Sequence, residues 1–263
     1  DFCLSRGLGD VYKRQALNKI ENYDVVVLGE NHDNKFHHQT QGKLILESRR
    51  NKKSVGFEFI DFEQNSYLQE YVNGKHTDEE FQDLVKWGAT PFSYFKPLFF
   101  LPYYLGGKSQ GINVPSFVTR KISRNSIDSL SDEEKTRYLP PQFELGNDLY
   151  KAKFRLAFKD HPMPDKDFLN YFTAQSLWDD MMAYQSQVFL DQHTDHQFFI
   201  VVGNFHAEHK LGLSSRLTKR LPNHRILTIV QIDENHYTQE ELAALRLPHP
   251  EFGALGDLVF FSK

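Results

Sequence analysis

Tyr23-Asp24-Val25-Val26-Val27-Leu28-Gly29-Glu30-Asn31-His32 runs from an unbroken apolar stretch straight into a small-residue turn that ends in an imidazole. Far down the chain the pattern returns, with Phe198-Phe199-Ile200-Val201-Val202 feeding Gly203-Asn204-Phe205-His206. Apolar runs without polar alternation mark strands buried on both faces, as in a parallel sheet covered by helices. In such sheets, groups from different strands converge at the carboxyl edge, where open α/β folds hold their sites. Two Gly-x-x-His turns therefore predict two imidazoles delivered to one edge.

Working outward, the β-branched and aromatic runs predict strands at 24–29, 54–59, 112–117, 198–203, 225–232 and 257–262. Amphipathic patterns between them predict helices near 35–50, 62–74, 77–87, 92–105, 148–160 and 165–192. The polar stretch 118–147 holds a Pro140-Pro141 break and a cap-like Ser131-Asp132-Glu133-Glu134, and reads as an insertion with a short helix. The expected class is α/β: a mostly parallel central sheet flanked by helices, with a helical insertion between the third and fourth strands. No repeat beyond the paired Gly-x-x-His is visible.

The first fifteen residues stand apart. Cys3-Leu4-Ser5-Arg6-Gly7-Leu8-Gly9-Asp10-Val11-Tyr12-Lys13-Arg14-Gln15 reads as translated sequencing-adapter sequence, so 1–15 is set aside and 16–263 is taken as a single α/β domain. The alternative is a native, disordered N-terminal tail. With the scar goes Cys3, the only cysteine, and with it any disulfide or thiol nucleophile. The native N-terminus is then missing, so the lack of a leader carries no information. The whole chain has 25% charged residues and a formal net charge of −4; Arg6, Lys13 and Arg14 against Asp1 and Asp10 put +1 on the scar, leaving −5 on the rest. That balance argues against a nucleic-acid partner, which needs a basic face. No apolar stretch approaches the ~20 residues of a membrane span.

Glu30 and His32 alternate along the strand end and can share an orientation. A carboxylate beside an imidazole serves general acid/base catalysis, metal binding or polar recognition of a ligand. The plainer alternative is that Glu30 caps the next helix and His32 begins it. Glu58, within Phe57-Glu58-Phe59, is costly to bury unless paired or protonated. His206 supplies the second imidazole, with Asn204 beside it and Glu208-His209 on the expected next helical turn. Glu30, His32, Glu58 and His206 are thus the candidate catalytic cluster, and His32, Glu58 and His206 the candidate ligands of a divalent metal.

The stripe Phe168, Phe172, Gln175, Asp179, Met182, Ser186 and Phe189 is interrupted by two polar groups one turn apart. If that face is buried, Gln175 and Asp179 need partners, and orienting a histidine is a common role for such a carboxylate. His38, Gln41 and Ile45 share a helix face, whereas His37 and His38 point about 100° apart, so one of the two is expected at the surface. Phe92 to Tyr104 is dense in aromatics and reads as core, or else as a flat apolar pocket or partner surface. No Gly-x-Ser-x-Gly elbow, phosphate loop, Gly-x-Gly-x-x-Gly turn or His-Glu-x-x-His helix is present.

Together these motifs resemble the ChaN family, haem-binding uptake proteins within the broader Tiki/TraB and erythromycin-esterase-like superfamily. The resemblance rests on Leu28-Gly29-Glu30-Asn31-His32-Asp33-Asn34 with His37-His38-x-x-Gln41, and on Ala174-Gln175 through Asp179 to Met182-Ala183. It continues through Val202-Gly203-Asn204-Phe205-His206, Gly212 to Arg216-Leu217, and Gly256-Asp257-Leu258-Val259-Phe260. Ser214 stands where the family has proline. The resemblance implies haem as cofactor, a homodimer around it, an envelope lipoprotein and the envelope's haem-transport machinery as partner. It also implies a tyrosine as haem ligand, for which Tyr67, Tyr94, Tyr103 and Tyr104, with His38, are candidates from the residues alone. Relatives within the superfamily imply the alternative of a metal-dependent hydrolase built on the strand-end cluster.

Overall fold

The structure is a computed structural model and describes residues 3–4, 16–159 and 163–262. Its sheet is parallel at every pairing, in the order β1-β7-β6-β2-β5-β3-β4. The strands are β1 (Cys3–Leu4), β2 (Val25–Glu30), β3 (Lys53–Asp61), β4 (Ser109–Asn113), β5 (Gln197–Gly203), β6 (Ile226–Asp233) and β7 (Leu258–Ser262). The proposed adapter scar falls largely outside the described residues; of it, only the two-residue β1 is seen, paired with β7.

β2 and β5 are buried at every position, as the unbroken apolar runs predict. Their side chains alternate between two cores. Val26 and Leu28 pack with α2 (Lys35–Glu47) and α5 (Phe92–Tyr104), through Leu44, Ile45, Phe95 and Phe99. Val25 and Val27 pack with α9 (Asp165–Gln192) and α11 (Leu213–Arg220), through Met182, Leu190, Leu213 and Leu217. The chain leaves β2 toward β3 and leaves β5 in the opposite direction, toward β6 on the far side of β2. Adjacent strands whose connections diverge open a crevice at their carboxyl ends. That crevice lies between Glu30 and Gly203, paired in register.

Between β4 and β5 come α6 (Ser116–Asn125), α7 (Asp132–Tyr138), α8 (Asp148–Ala157) and α9. The polar stretch thus holds two helices, not one. Ser131 and Glu134 form the reciprocal cap that starts α7. β4 begins three residues earlier than the apolar pattern predicts and stops at Asn113, whose side-chain oxygen accepts from the Val114 N–H ahead of Pro115 and α6. A five-residue strand that opens Ser-Gln-Gly shows little apolar signal, and proline ends it.

Candidate functional site

Each Gly-x-x-His turn needs its glycine for close approach. A Cβ on Gly29 would stand 2.6 Å from Asn204 Oδ1 and 3.0 Å from Ala207 Cβ, in the single-turn α10 (Asn204–Ala207). A Cβ on Gly203 would stand 2.8 Å from His32 Cε1. The two turns therefore pack into one another. Asn204 Nδ2 ties them by donating to Asn31 Oδ1 at 2.8 Å and to the Gln231 carbonyl at 2.6 Å.

The first turn builds a polar group around Glu30, a fully buried carboxylate. His32 Nδ1 lies 3.0 Å from Glu30 Oε1, His38 Nδ1 lies 2.9 Å from Oε2, and Gln41 Nε2 donates to Oε2 at 3.2 Å. The His32 side chain is 41% exposed, with its edge against Phe59. Burial opposes charge on His32, but its bond to Glu30 and the field of Glu58 outweigh that and hold its pKa above the ordinary value. His38 is buried, and its Nε2 is 3.1 Å from the His32 carbonyl, which leaves no nitrogen for a haem iron. The expectation that one of His37 and His38 lies at the surface is wrong, because both are buried. They reach different partners: His37 Nδ1 accepts from the Asn31 N–H at 3.0 Å, and burial pushes its pKa down to about 4.

The second turn builds a chain of charges. Past Phe57, β3 parts from β5, and Glu58 accepts the Gly203 N–H on Oε2 at 2.6 Å. Its Oε1 is 3.3 Å from His206 Nε2, and His206 Nδ1 is 2.7 Å from Asp179 Oδ1. Tyr150 donates its hydroxyl to Asp179 Oδ2 at 2.5 Å, and Gln175 Nε2 lies 3.1 Å from His206 Nδ1. Arg216 stands behind, with Nη1 3.9 Å from Asp179 Oδ2. Burial opposes charge on His206, yet Glu58 and Asp179 together raise its pKa to about 10. Burial would raise that of Glu58, but His206, His32 and the Gly203 N–H bring it down to about 2. The cluster is thus a carboxylate–imidazolium–carboxylate chain at neutral pH.

Gln175 and Asp179 have the partners their burial demands. Glu30, His32, Glu58 and His206 meet at one edge, with Asn204, Gln175 and Asp179 around them. Among the described residues, no three His, Cys, Asp or Glu side chains are arranged to hold a metal ion. The expected helical turn at Glu208-His209 is broken, for His209 and Lys210 both take left-handed φ, 58° and 60°. Sequence reading missed Tyr150, Arg216 and Lys153, which sit in apolar helix faces. Lys153 is buried and donates to the Phe205 carbonyl at 2.8 Å, holding the second turn from below. The tyrosine candidates scatter. Tyr94 lies beside His38, ring centroids 5.8 Å apart, and Tyr67 is on α3 (Asn65–Val72). Tyr103 and Tyr104 are exposed at the far end of α5, which runs back to the amino ends of the strands.

Above the crevice lies an open cleft of about 890 Å³. His32, Glu58, Gln175 and His206 form its floor; Phe154, Phe158, Trp178, Phe205 and Tyr237 give it aromatic walls. The family model described as haem-binding uptake, Tiki superfamily, ChaN matches residues 16–217. The chain belongs to the ChaN family. Among solved structures, it is similar to ChaN of Campylobacter jejuni, with cofacial haem binding, at 16% identity and a TM-score of 0.62, covering 83% of this chain and 85% of that one. It is also similar to the type III effector HopBA1 (10% identity, TM-score 0.54, 95% and 93% covered). A mutant of the erythromycin esterase EreC in its open conformation follows at 14% identity and a TM-score of 0.51, with 86% and 74% covered. These identities speak for the fold alone. No curated protein matches by sequence. In this ChaN-family chain the residue in place of the family's proline, Ser214, is buried with its hydroxyl 2.7 Å from that of Thr228, a bond that joins α11 to β6.

Proposed function

We propose that this chain binds haem in the cleft above the β2–β5 crevice and serves bacterial haem uptake in the cell envelope. The observation that carries the reading is a cleft of cofactor size whose aromatic walls face one accessible imidazole, in a chain of the ChaN family. His32 is the residue we assign to the iron. Its Nδ1 is anchored by Glu30, which leaves Nε2 for a ligand, and a carboxylate behind a ligating histidine fixes its orientation and raises its basicity. Haem, when bound, would supply a ferric iron that accepts nitrogen or oxygen donors. Tyr237, on the cleft wall, offers a phenolic oxygen to the same space. Family membership supports the envelope setting. Lipid attachment, a homodimer around haem and hand-over to the haem-transport machinery complete the proposal. Among the described residues no helix is long and apolar enough to cross a membrane.

Hemin titrated into the purified protein is expected to give a shifted, saturable Soret band that His32→Ala weakens. Light scattering with and without hemin reads the dimer. A spectrum unchanged at stoichiometric hemin overturns the reading; loss of binding in a Tyr103→Phe/Tyr104→Phe double variant, with His32→Ala unaffected, moves haem to the opposite end of the sheet.

A hydrolase built on the same floor is the second reading, favoured by the Glu58–His206–Asp179 chain. Its chemistry is less well matched. General acid–base groups work best with pKa values near the operating pH, whereas Glu58 and His206 are driven away from neutrality in opposite directions. Both ring nitrogens of His206 also face carboxylates, so metal ligation requires releasing one of them.

A further inference from the structure

α9 turns Gln175 and Trp178 to the cleft, and Asp180 and Gln187 to a second cavity of about 360 Å³ that α11 and the 142–147 segment close. Its charged lining is closely paired except at Arg216. Lys219 Nζ meets Glu144 Oε2 at 2.7 Å, and Arg220 places Nε and Nη2 on the two Asp180 oxygens at 2.7 and 2.8 Å. Those pairs cancel. Arg216 remains, only 6% exposed. Its Nη1 donates to the Gly212 carbonyl at 3.1 Å, while its nearest carboxylate oxygen, on Asp179, is 3.9 Å away and already accepts the Tyr150 hydroxyl.

The two nitrogens left over are Nε and Nη2, both buried and without a hydrogen-bond partner. They form one edge of the guanidinium, the fork whose spacing fits two oxygens of a single carboxylate or phosphate group. A buried cation with two open donors is costly, and an anion on that edge recovers the cost. We propose that this cavity is an anion site, separate from the cleft, in which Arg216 takes the carboxylate or phosphate group of a small ligand through its Nε–Nη2 edge. A volume of 360 Å³ admits a small metabolite but not a macrocycle.

Calorimetric titrations with inorganic phosphate and, separately, acetate, at an ionic strength held constant with chloride, test the site in the full chain. Saturable one-to-one binding of either anion is expected, and the arm that binds names the ligand chemistry. Arg216→Lys keeps the charge without the fork and is expected to weaken binding about tenfold, whereas Lys219→Ala on the rim changes it less than about threefold. Should Arg216→Lys fail to fold, wild-type protein labelled with 15N-arginine carries the test: one Nε–H resonance is expected to move with saturation. If neither anion gives heat or moves an arginine signal, or if Arg216→Lys binds as tightly as wild type, the site does not exist.

Discussion

Replacing Asp179 by asparagine keeps the shape of the buried chain and removes one of its charges. Glu58, His206, Asp179 and Arg216 balance as two anions against two cations, all buried or nearly so. The sign of the pH dependence follows from His206. Its folded pKa of about 10 lies above its ordinary 6.5, so its contribution is fully present below pH 6.5 and is lost as pH rises toward 10. At 1.36 kcal/mol per unit, the loss between pH 6 and pH 9.5 is roughly 4 kcal/mol. Glu58 works in the other direction: held at about 2, it contributes above its ordinary 4.5 and loses that contribution as pH falls toward 2. The two displacements are one attraction seen from each end and are counted once. The larger movement at His206 reflects its second carboxylate, Asp179. Asp179→Asn is therefore expected to halve the loss between pH 6 and pH 9.5 at least, and to lower stability at pH 6 by about 2 kcal/mol or more, approaching the 3–5 kcal/mol typical of breaking a buried pair. Urea unfolding of both proteins at pH 6 and 9.5 reads it, because tyrosines and lysines elsewhere cancel in the difference. Parallel profiles would refute the assignment of His206 as a buried imidazolium.

Gly203→Ala directs its Cβ at the His32 ring while the backbone stays in an ordinary extended conformation, φ −60° and ψ 144°. Because His32 is partly exposed it swings out: stability is expected to fall by about 1 kcal/mol or less. The His32 titration followed by NMR drops toward 6.5, and hemin affinity falls with it; an unmoved His32 titration contradicts this. Tyr150→Phe takes the hydroxyl from Asp179 Oδ2 and leaves a buried carboxylate oxygen short of a donor, at an expected cost of about 2 kcal/mol in urea unfolding. A loss under about 0.5 kcal/mol would show that another donor moves in.

The fold was legible because its strands are buried on both faces. Val25 to Leu28 and Phe198 to Val202 carry no polar residue to confuse them, and the positions found match those expected to within a residue or two. Where polarity enters, legibility falls. β4 begins in Ser-Gln-Gly at the sheet's edge, and its register with β3, not its apolar pattern, shows where it starts. Glu30, His32, Glu58 and His206 could be gathered from sequence because strand ends at one edge must converge. Asp179 and Gln175 could be added because they interrupt an apolar stripe. Tyr150 and Arg216 could not, since each sits at a position where a helix buries its face in any case. A tyrosine packed among phenylalanines, or an arginine between Ser215 and Leu217, carries no mark of the carboxylate it will meet. His37 misled for a related reason: neighbouring helix positions diverge, yet a helix packed against both β2 and α5 buries both directions.

The two Gly-x-x-His turns look alike in sequence and differ in chemistry because of depth. Each presents a histidine to a carboxylate, at 3.0 Å for His32 and Glu30 and at 3.3 Å for His206 and Glu58. In the first turn the carboxylate is buried and the imidazole reaches outward, so one ring nitrogen stays open to a ligand. In the second the imidazole lies inside, between Glu58 and Asp179, and both nitrogens are occupied. A histidine in that position cannot accept a proton at neutral pH or bind iron without dismantling its own support, but it fixes Glu58, whose second oxygen secures the Gly203 N–H and so the gap into which His32 fits. The division of labour follows: the second turn is the rigid half that shapes the floor, and the first is the half that can reach a ligand. The duplication is one of position at the sheet edge, and burial decides which copy is free to act.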